Sequence, residues 1–141
     1  MSRYDATQTN ESTRSSKIFK DLNLDFQQNT ATKDIQKITD AESVKRSVRN
    51  LINTNHYEKP FHPEIGSNLR GMLFELMSPQ MNHLITKQIE NLINNYEPRC
   101  RLVQVHTQPE FDRNGYAVQI SFYVQNYQDP VVVESFLERL R

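Results

Sequence analysis

The chain has 141 residues, enough for one domain with an appendage. Its 17 Lys and Arg balance its 17 Asp and Glu, and this zero formal charge argues against non-specific binding to nucleic acid or an anionic membrane. A single cysteine, Cys100, excludes an internal disulfide, and three glycines are too few for a Gly-rich phosphate loop. Met1 to Asn10 shows no signal-peptide core, and no apolar run approaches the ~18 residues of a membrane span. The cytoplasm is the default compartment.

Met1 to Lys17 contains no Val, Ile, Leu or Phe. An arm rich in Ser, Thr, Asn and Gln cannot bury enough apolar surface to order itself, so residues 1–20 read as an arm disordered unless bound. The rest, 21–141, reads as a single domain.

Leu22, Leu24 and Phe26 alternate with polar residues, as do Lys33, Ile35 and Lys37 beyond an Asn29–Thr32 turn, which predicts a small hairpin. Asp40 is a helix N-cap candidate. Ala41, Val44, Val48, Leu51 and Ile52 then repeat at helical spacing. Lys45, Arg46 and Arg49 fill the other side, either as a solvated face or as a contact for an acidic partner.

Pro60 and Pro63 make Asn55 to Ile65 a loop. Gly66–Ser67–Asn68 starts a short helix with Leu69, Met72, Leu73 and Leu76. Ser78 caps a longer helix with Pro79 at its first position, where a missing N–H costs nothing. Met81, Leu84, Ile85, Ile89, Leu92 and Ile93 carry it to Asn95 or Tyr96, since Pro98 pushes Glu97 out of helical geometry.

Beyond Pro98 the period becomes two. Arg101, Val103, Val105 and Thr107 alternate with Leu102, Gln104 and His106. Asn114–Gly115 predicts a tight hairpin turn. Tyr116, Val118, Ile120, Phe122 and Val124 form a clean strand. Asp129–Pro130 suits a helix start, but three consecutive valines favour a third strand over Val131 to Leu140. The fold class is α+β: amphipathic helices on one face of a three-stranded antiparallel meander.

Little chemistry is visible. His56, His62, His83 and His106 lack metal-ligand spacing, so no metal is expected. Arg99 would lower the Cys100 thiol pKa, but Cys100 and His106 on one strand sit roughly 20 Å apart at ~3.3 Å per residue, too far for a catalytic pair. Glu64, Glu75, Glu97 and Asp112 show no spacing that singles out a glycosidase pair. Met72, Met77 and Met81 read as core or interface filler. The segment that stands out is Tyr96–Glu97–Pro98–Arg99. Proline stiffens it, and Glu97 and Arg99 project from one side, able to bond each other or a partner. The plain alternative is a helix stop with two surface charges.

Glu97–Pro98–Arg99 after such a helix resembles the central motif of the baseplate wedge and sheath-initiator family of contractile phage tails. That family includes the T-even-type wedge subunit and a type VI secretion baseplate subunit. Pro60 to Leu69 resembles its proline-rich approach to a Gly-Ser-x-Leu turn. Leu73–Phe74–Glu75 with Ser78–Pro79, and Val44 to Ile52, resemble neighbouring stretches. The resemblance runs from about Asp21 to Arg141.

It implies a structural virion protein of the tail baseplate, made in the host cytoplasm, and not an enzyme. No cofactor, nucleic acid or membrane is implied. The implied partners are other wedge subunits, the tail sheath protein, and tail-tube or hub proteins, with several copies in a six-fold assembly. Glu97, Pro98 and Arg99 would join wedge neighbours. Val131, Val133, Ser135 and Leu137 would form a sheet edge that templates the first sheath ring by strand exchange. A regulatory protein-binding module of similar fold and, behind it, a tail-associated lysozyme are the alternatives.

Overall fold

The computed structural model describes residues 19–125 and 127–139, so the polar arm Met1 to Lys17 lies outside the described residues. Two compact units divide the chain, Met1–Asp40 and Ala41–Arg141.

In the first unit, β1 (Lys20–Leu22) pairs antiparallel with β2 (Lys37–Thr39). The expected hairpin is present, but its strands are shorter. The chain turns at Leu24–Asp25, and Leu22, Leu24 and Phe26 are all exposed. Their alternation therefore marks no buried face. Asn29 closes the distal turn through an Oδ1 that accepts from Ala31 N–H at 2.9 Å, the local side-chain bond that favours Asn in turns.

Helix α1 (Asp40–Asn53) buries Val44, Val48 and Ile52, spaced by four so that they stack along one stripe. The loop after it is tied at its ends, with Asn55 bridging to Ser67 in parallel. Gly66 sits there at φ 128, and a Cβ would lie 2.7 Å from the Asn55 carbonyl carbon. Only glycine suits both demands.

Helix α2 (Leu69–Leu73) is one short piece, burying Leu69 and Leu73 but leaving Leu76 beyond its end and exposed. Helix α3 (Pro79–Tyr96) begins as expected, the Ser78 Oγ accepting from Met81 N–H at 3.1 Å with Pro79 in the first turn. It buries Ile85, Ile89, Leu92 and Ile93 and stops at Tyr96.

β3 (Cys100–Glu110), β4 (Gly115–Val124) and β5 (Val131–Glu138) form an antiparallel meander in that order, with α3 lying on β3. β4 buries Tyr116, Val118, Ile120, Phe122 and Val124, every second residue as its alternation predicts. The β3 reading needs correction. Leu102 pairs with Phe122 but Gln104 with Ser121, so Val103 is an extra residue in a bulge. The bulge reverses the phase. Val105 and Thr107 face inward while Val103 is exposed. Cys100 and His106 consequently do not share a side.

The β3–β4 connection is also longer than a two-residue turn. Glu110 pairs with Gly115 across Phe111–Asn114, with Asn114 in the left-handed region at φ 50. Gly115 is required by space, since a Cβ would stand 2.5 Å from the Leu137 carbonyl oxygen.

Candidate functional site

The junction between α3 and β3 is a compact electrostatic clasp. Glu97 ends the helix, its N–H donating to Ile93 O at 2.9 Å while its φ of −125 leaves the helical region. Pro98 enforces that exit. The chain then doubles back so that the Arg99 guanidinium meets the Glu97 carboxylate side-on. Nε donates to Oε1 at 2.6 Å and Nη2 to Oε2 at 2.8 Å. A third donor, the Ser47 hydroxyl of α1, also reaches Oε2. Arg99 is tied to the sheet through its own carbonyl, which accepts from Gln125 N–H at 3.1 Å. One carboxylate thus links α1, the end of α3 and the start of the sheet.

Glu97 and Arg99 bond each other, and they are not two surface charges at a helix stop. Glu97 is only 3% exposed, and Arg99 is 28% exposed at its side chain. The acid is internal, and the guanidinium is its cover. Burial alone would raise the Glu97 pKa, but the bonds from Arg99 and Ser47 outweigh it and hold the carboxyl below its ordinary range. A buried carboxylate is tolerable here because both oxygens are bonded.

Cys100 feels the same junction in the opposite sense. Burial first, then the Glu97 charge, push its thiol up to about 11, with Arg99 opposing too weakly to prevent it. The sequence expectation of a lowered thiol pKa fails because burial and the neighbouring Glu97 charge together outweigh the Arg99 guanidinium. Cys100 Sγ lies 3.4 Å from Glu97 O as a weak donor.

The second element is the free edge of the meander. β5 pairs with β4 and with no other strand among the described residues. Arg139 N–H donates to Asn114 O at 3.0 Å, just outside the Gly115–Glu138 pair. Antiparallel bonding alternates, so Tyr116–Leu137, Val118–Ser135, Ile120–Val133 and Phe122–Val131 are the hydrogen-bonded pairs. Val131, Val133, Ser135 and Leu137 therefore spend their backbone groups on β4. Val133 and Leu137 are also buried, with Val131 and Ser135 half-buried. The edge lies on the expected strand but belongs to other residues: Val132, Glu134, Phe136 and Glu138 turn N–H and C=O outward.

Their side chains share the outer face of the sheet. Val132, Glu134 and Glu138 are exposed, and Arg113 lies over the Phe136 ring at 3.9 Å. Gln119 Nε2 donates to Glu134 Oε1 at 3.3 Å. A shallow depression of about 440 Å³ on this face is lined by Gln108, Ala117, Glu134 and Phe136.

Of the four acids weighed for hydrolysis, Glu97 is held by Arg99, and Glu64 pairs with His62 at 3.1 Å on the surface. The carboxyls of Glu64 and Glu97 are held below their ordinary range, the first by its backbone and His62 bonds and the second by Arg99 and Ser47. Among the described residues no three His, Cys, Asp or Glu form a metal-holding group, and no helix is long and apolar enough to cross a membrane.

Ser47 was not legible as part of the site. It lies within the early helix segment, but nothing in a lone serine beside an apolar stripe signals a bond to a residue fifty positions on. Thr107 is a similar case. Its hydroxyl donates to Asn82 Oδ1 at 2.6 Å, a buried polar tie between α3 and β3.

A family model described as baseplate wedge protein gp25 matches residues 39–128. The baseplate wedge protein gp25 of Enterobacteria phage T4 is 30% identical over 115 residues, covering 82% of this chain and 86% of its own. Among solved structures, a chain of the anti-feeding prophage baseplate, 6-fold symmetrised, superposes with a TM-score of 0.67 at 24% identity, covering 79% of this chain and 89% of that one. A Geobacter sulfurreducens protein described as a tail lysozyme superposes at 0.59 with 21% identity, covering 69% and 90%. At such identities the two structures establish the fold.

Proposed function

The chain belongs to the gp25 family of baseplate wedge proteins of contractile tails, and from that premise we propose that it offers its β5 edge to the tail sheath. In this reading it is a structural subunit that sits in the wedges, in several copies around the tail. The first sheath ring forms by adding a sheath strand beside β5. One observation carries the proposal: among the described residues β5 has a neighbour on one side only, with the backbone groups of Val132, Glu134, Phe136 and Glu138 facing away from it. Unpaired edges of this kind are templates for strand addition.

The Glu97–Pro98–Arg99 motif contributes to wedge joining indirectly. Its clasp fixes the angle between α3 and the sheet, and Arg99 is the member that a wedge neighbour touches. The protein acts without catalysis. Membership of the wedge family supports that reading over a tail lysozyme.

The test is a Val132→Pro variant, which removes an outward N–H without breaking a β4 bond. It should enter wedges as wild type does, yet fail to support sheath polymerisation on the completed baseplate. Normal sheath growth on that variant would place the template elsewhere.

A further inference from the structure

We infer that the strand completing the β5 edge is basic, with cationic side chains four residues apart flanking an apolar one. This inference rests on the proposed sheath-template reading and gives that strand its chemistry. The outward-bonding residues of β5 are also those whose side chains stand on the outer face: Val132, Glu134, Phe136 and Glu138. A strand added in either direction puts alternate residues opposite these four, with Cβ atoms about 5 Å apart. Two of the four are exposed glutamates, separated by Phe136.

Among the described residues the charges on this edge are not neutralised. Glu138 makes no hydrogen bond or ion pair with the described residues. Glu134 receives only the neutral amide of Gln119 at 3.3 Å, which orients the carboxylate without cancelling it. Arg113, which shares the depression with Glu134, is engaged by the Phe136 ring and by Glu110 at 3.2 Å. An acidic strand laid here would put like charges directly opposite, which is destabilising, whereas lysine or arginine at the two positions is attracted at both. The residue between them meets Phe136 and is best apolar. Long cationic side chains suit the place further, because their stems can lie on Val132 and Phe136 while their heads reach the carboxylates.

The measurement is sheath polymerisation on baseplates carrying each variant, using the purified sheath protein of the same tail at low and high salt. Glu134→Gln with Glu138→Gln should slow initiation on the order of tenfold and flatten its salt dependence. Glu134→Lys with Glu138→Lys should abolish initiation at low salt. Lysine-to-glutamate changes in the sheath strand should restore it. All four substitutions are at exposed positions, so the folded state is checked simply by thermal unfolding. If the charge variants initiate sheath like wild type while Val132→Pro fails, the basic-strand inference is overturned and the edge reading stands. If Val132→Pro also initiates normally, the edge reading falls with it.

Discussion

Arg99 grips both carboxylate oxygens of Glu97, at 2.6 and 2.8 Å, across a single intervening proline. Two residues so close in sequence usually make a surface pair of little energetic weight. Here the acid is 3% exposed, so removing the base strands a buried charge. Arg99→Ala should therefore destabilise the isolated protein by about 3 kcal/mol, lowering its melting temperature by roughly 10–20 °C. Arg99→Lys should recover only part of that, since an ammonium cannot bond both oxygens side-on. An unchanged melting temperature for Arg99→Ala would mean that Glu97 finds water or another donor.

The clasp also sets an acid limit. Glu97 titrates below its ordinary value of 4.5 when folded, so the unfolded chain takes up its proton first as pH falls. The stabilisation it supplies is complete above pH 4.5 and is lost as pH drops through the folded pKa. Glu97→Gln should be less stable than wild type at pH 7, and the gap should narrow as pH falls below 4.5. A gap that persists unchanged to pH 3 would assign the loss to packing and not to charge.

Cys100 should be a poor nucleophile. A thiol at about 11, against 9.0 for an ordinary one, holds about a hundredfold less thiolate at neutral pH. Alkylation by iodoacetamide at pH 8 should be slower than for a free thiol by roughly ten- to a hundredfold. Glu97→Gln should speed it, because one of the two upward influences is removed. Reaction at the rate of a free thiol would contradict the buried placement.

What the sequence displays and what it conceals divide along physical lines. Ser78–Pro79 and the run from Tyr116 to Val124 are local signals, a cap and a period of two, and the structure follows both. Val131 to Val133 settles a strand for the same reason, because β-branched side chains suit the pleat. The Val103 bulge is invisible, since it depends on how β3 registers against β4 and no Gly or Pro marks it. The clasp is half visible. Glu97 and Arg99 advertise themselves by charge and by Pro98, but whether they face each other or a partner depends on Ser47 arriving from α1. Along β5 the outward backbone groups belong to the residues that alternate with Val131, Val133, Ser135 and Leu137. Parity is decided by the Arg139–Asn114 bond across the strand pair, which no pattern within β5 encodes.

Gly66 gives a backbone test of the loop that precedes α2. Alanine there would hold a left-handed φ of 128 and drive a Cβ to 2.7 Å from the Asn55 backbone. Both effects act on the junction where Ser67 N–H bonds Thr54 O at 3.0 Å. Gly66→Ala should cost about 2 kcal/mol or more in thermal or urea unfolding. A loss below half of that would show the loop relaxing without strain.

Parity along β5 can be read directly in the free protein. Amides that bond β4 are protected from exchange by the ladder, whereas outward amides meet only water. Hydrogen exchange should find Val131, Val133, Ser135 and Leu137 slow and Val132, Glu134, Phe136 and Glu138 fast. The same alternation separates two proline substitutions that are adjacent in sequence. Val133→Pro removes a ladder bond to Ile120 and a side chain that is 2% exposed, so it should cost about 3 kcal/mol or more. Val132→Pro loses neither and should cost far less. Measured by thermal unfolding, the ordering Val133→Pro well below Val132→Pro supports the assigned edge. Equal losses, or uniform protection along the strand, would mean that β5 is registered differently and that its outward groups are not the ones a sheath strand would meet.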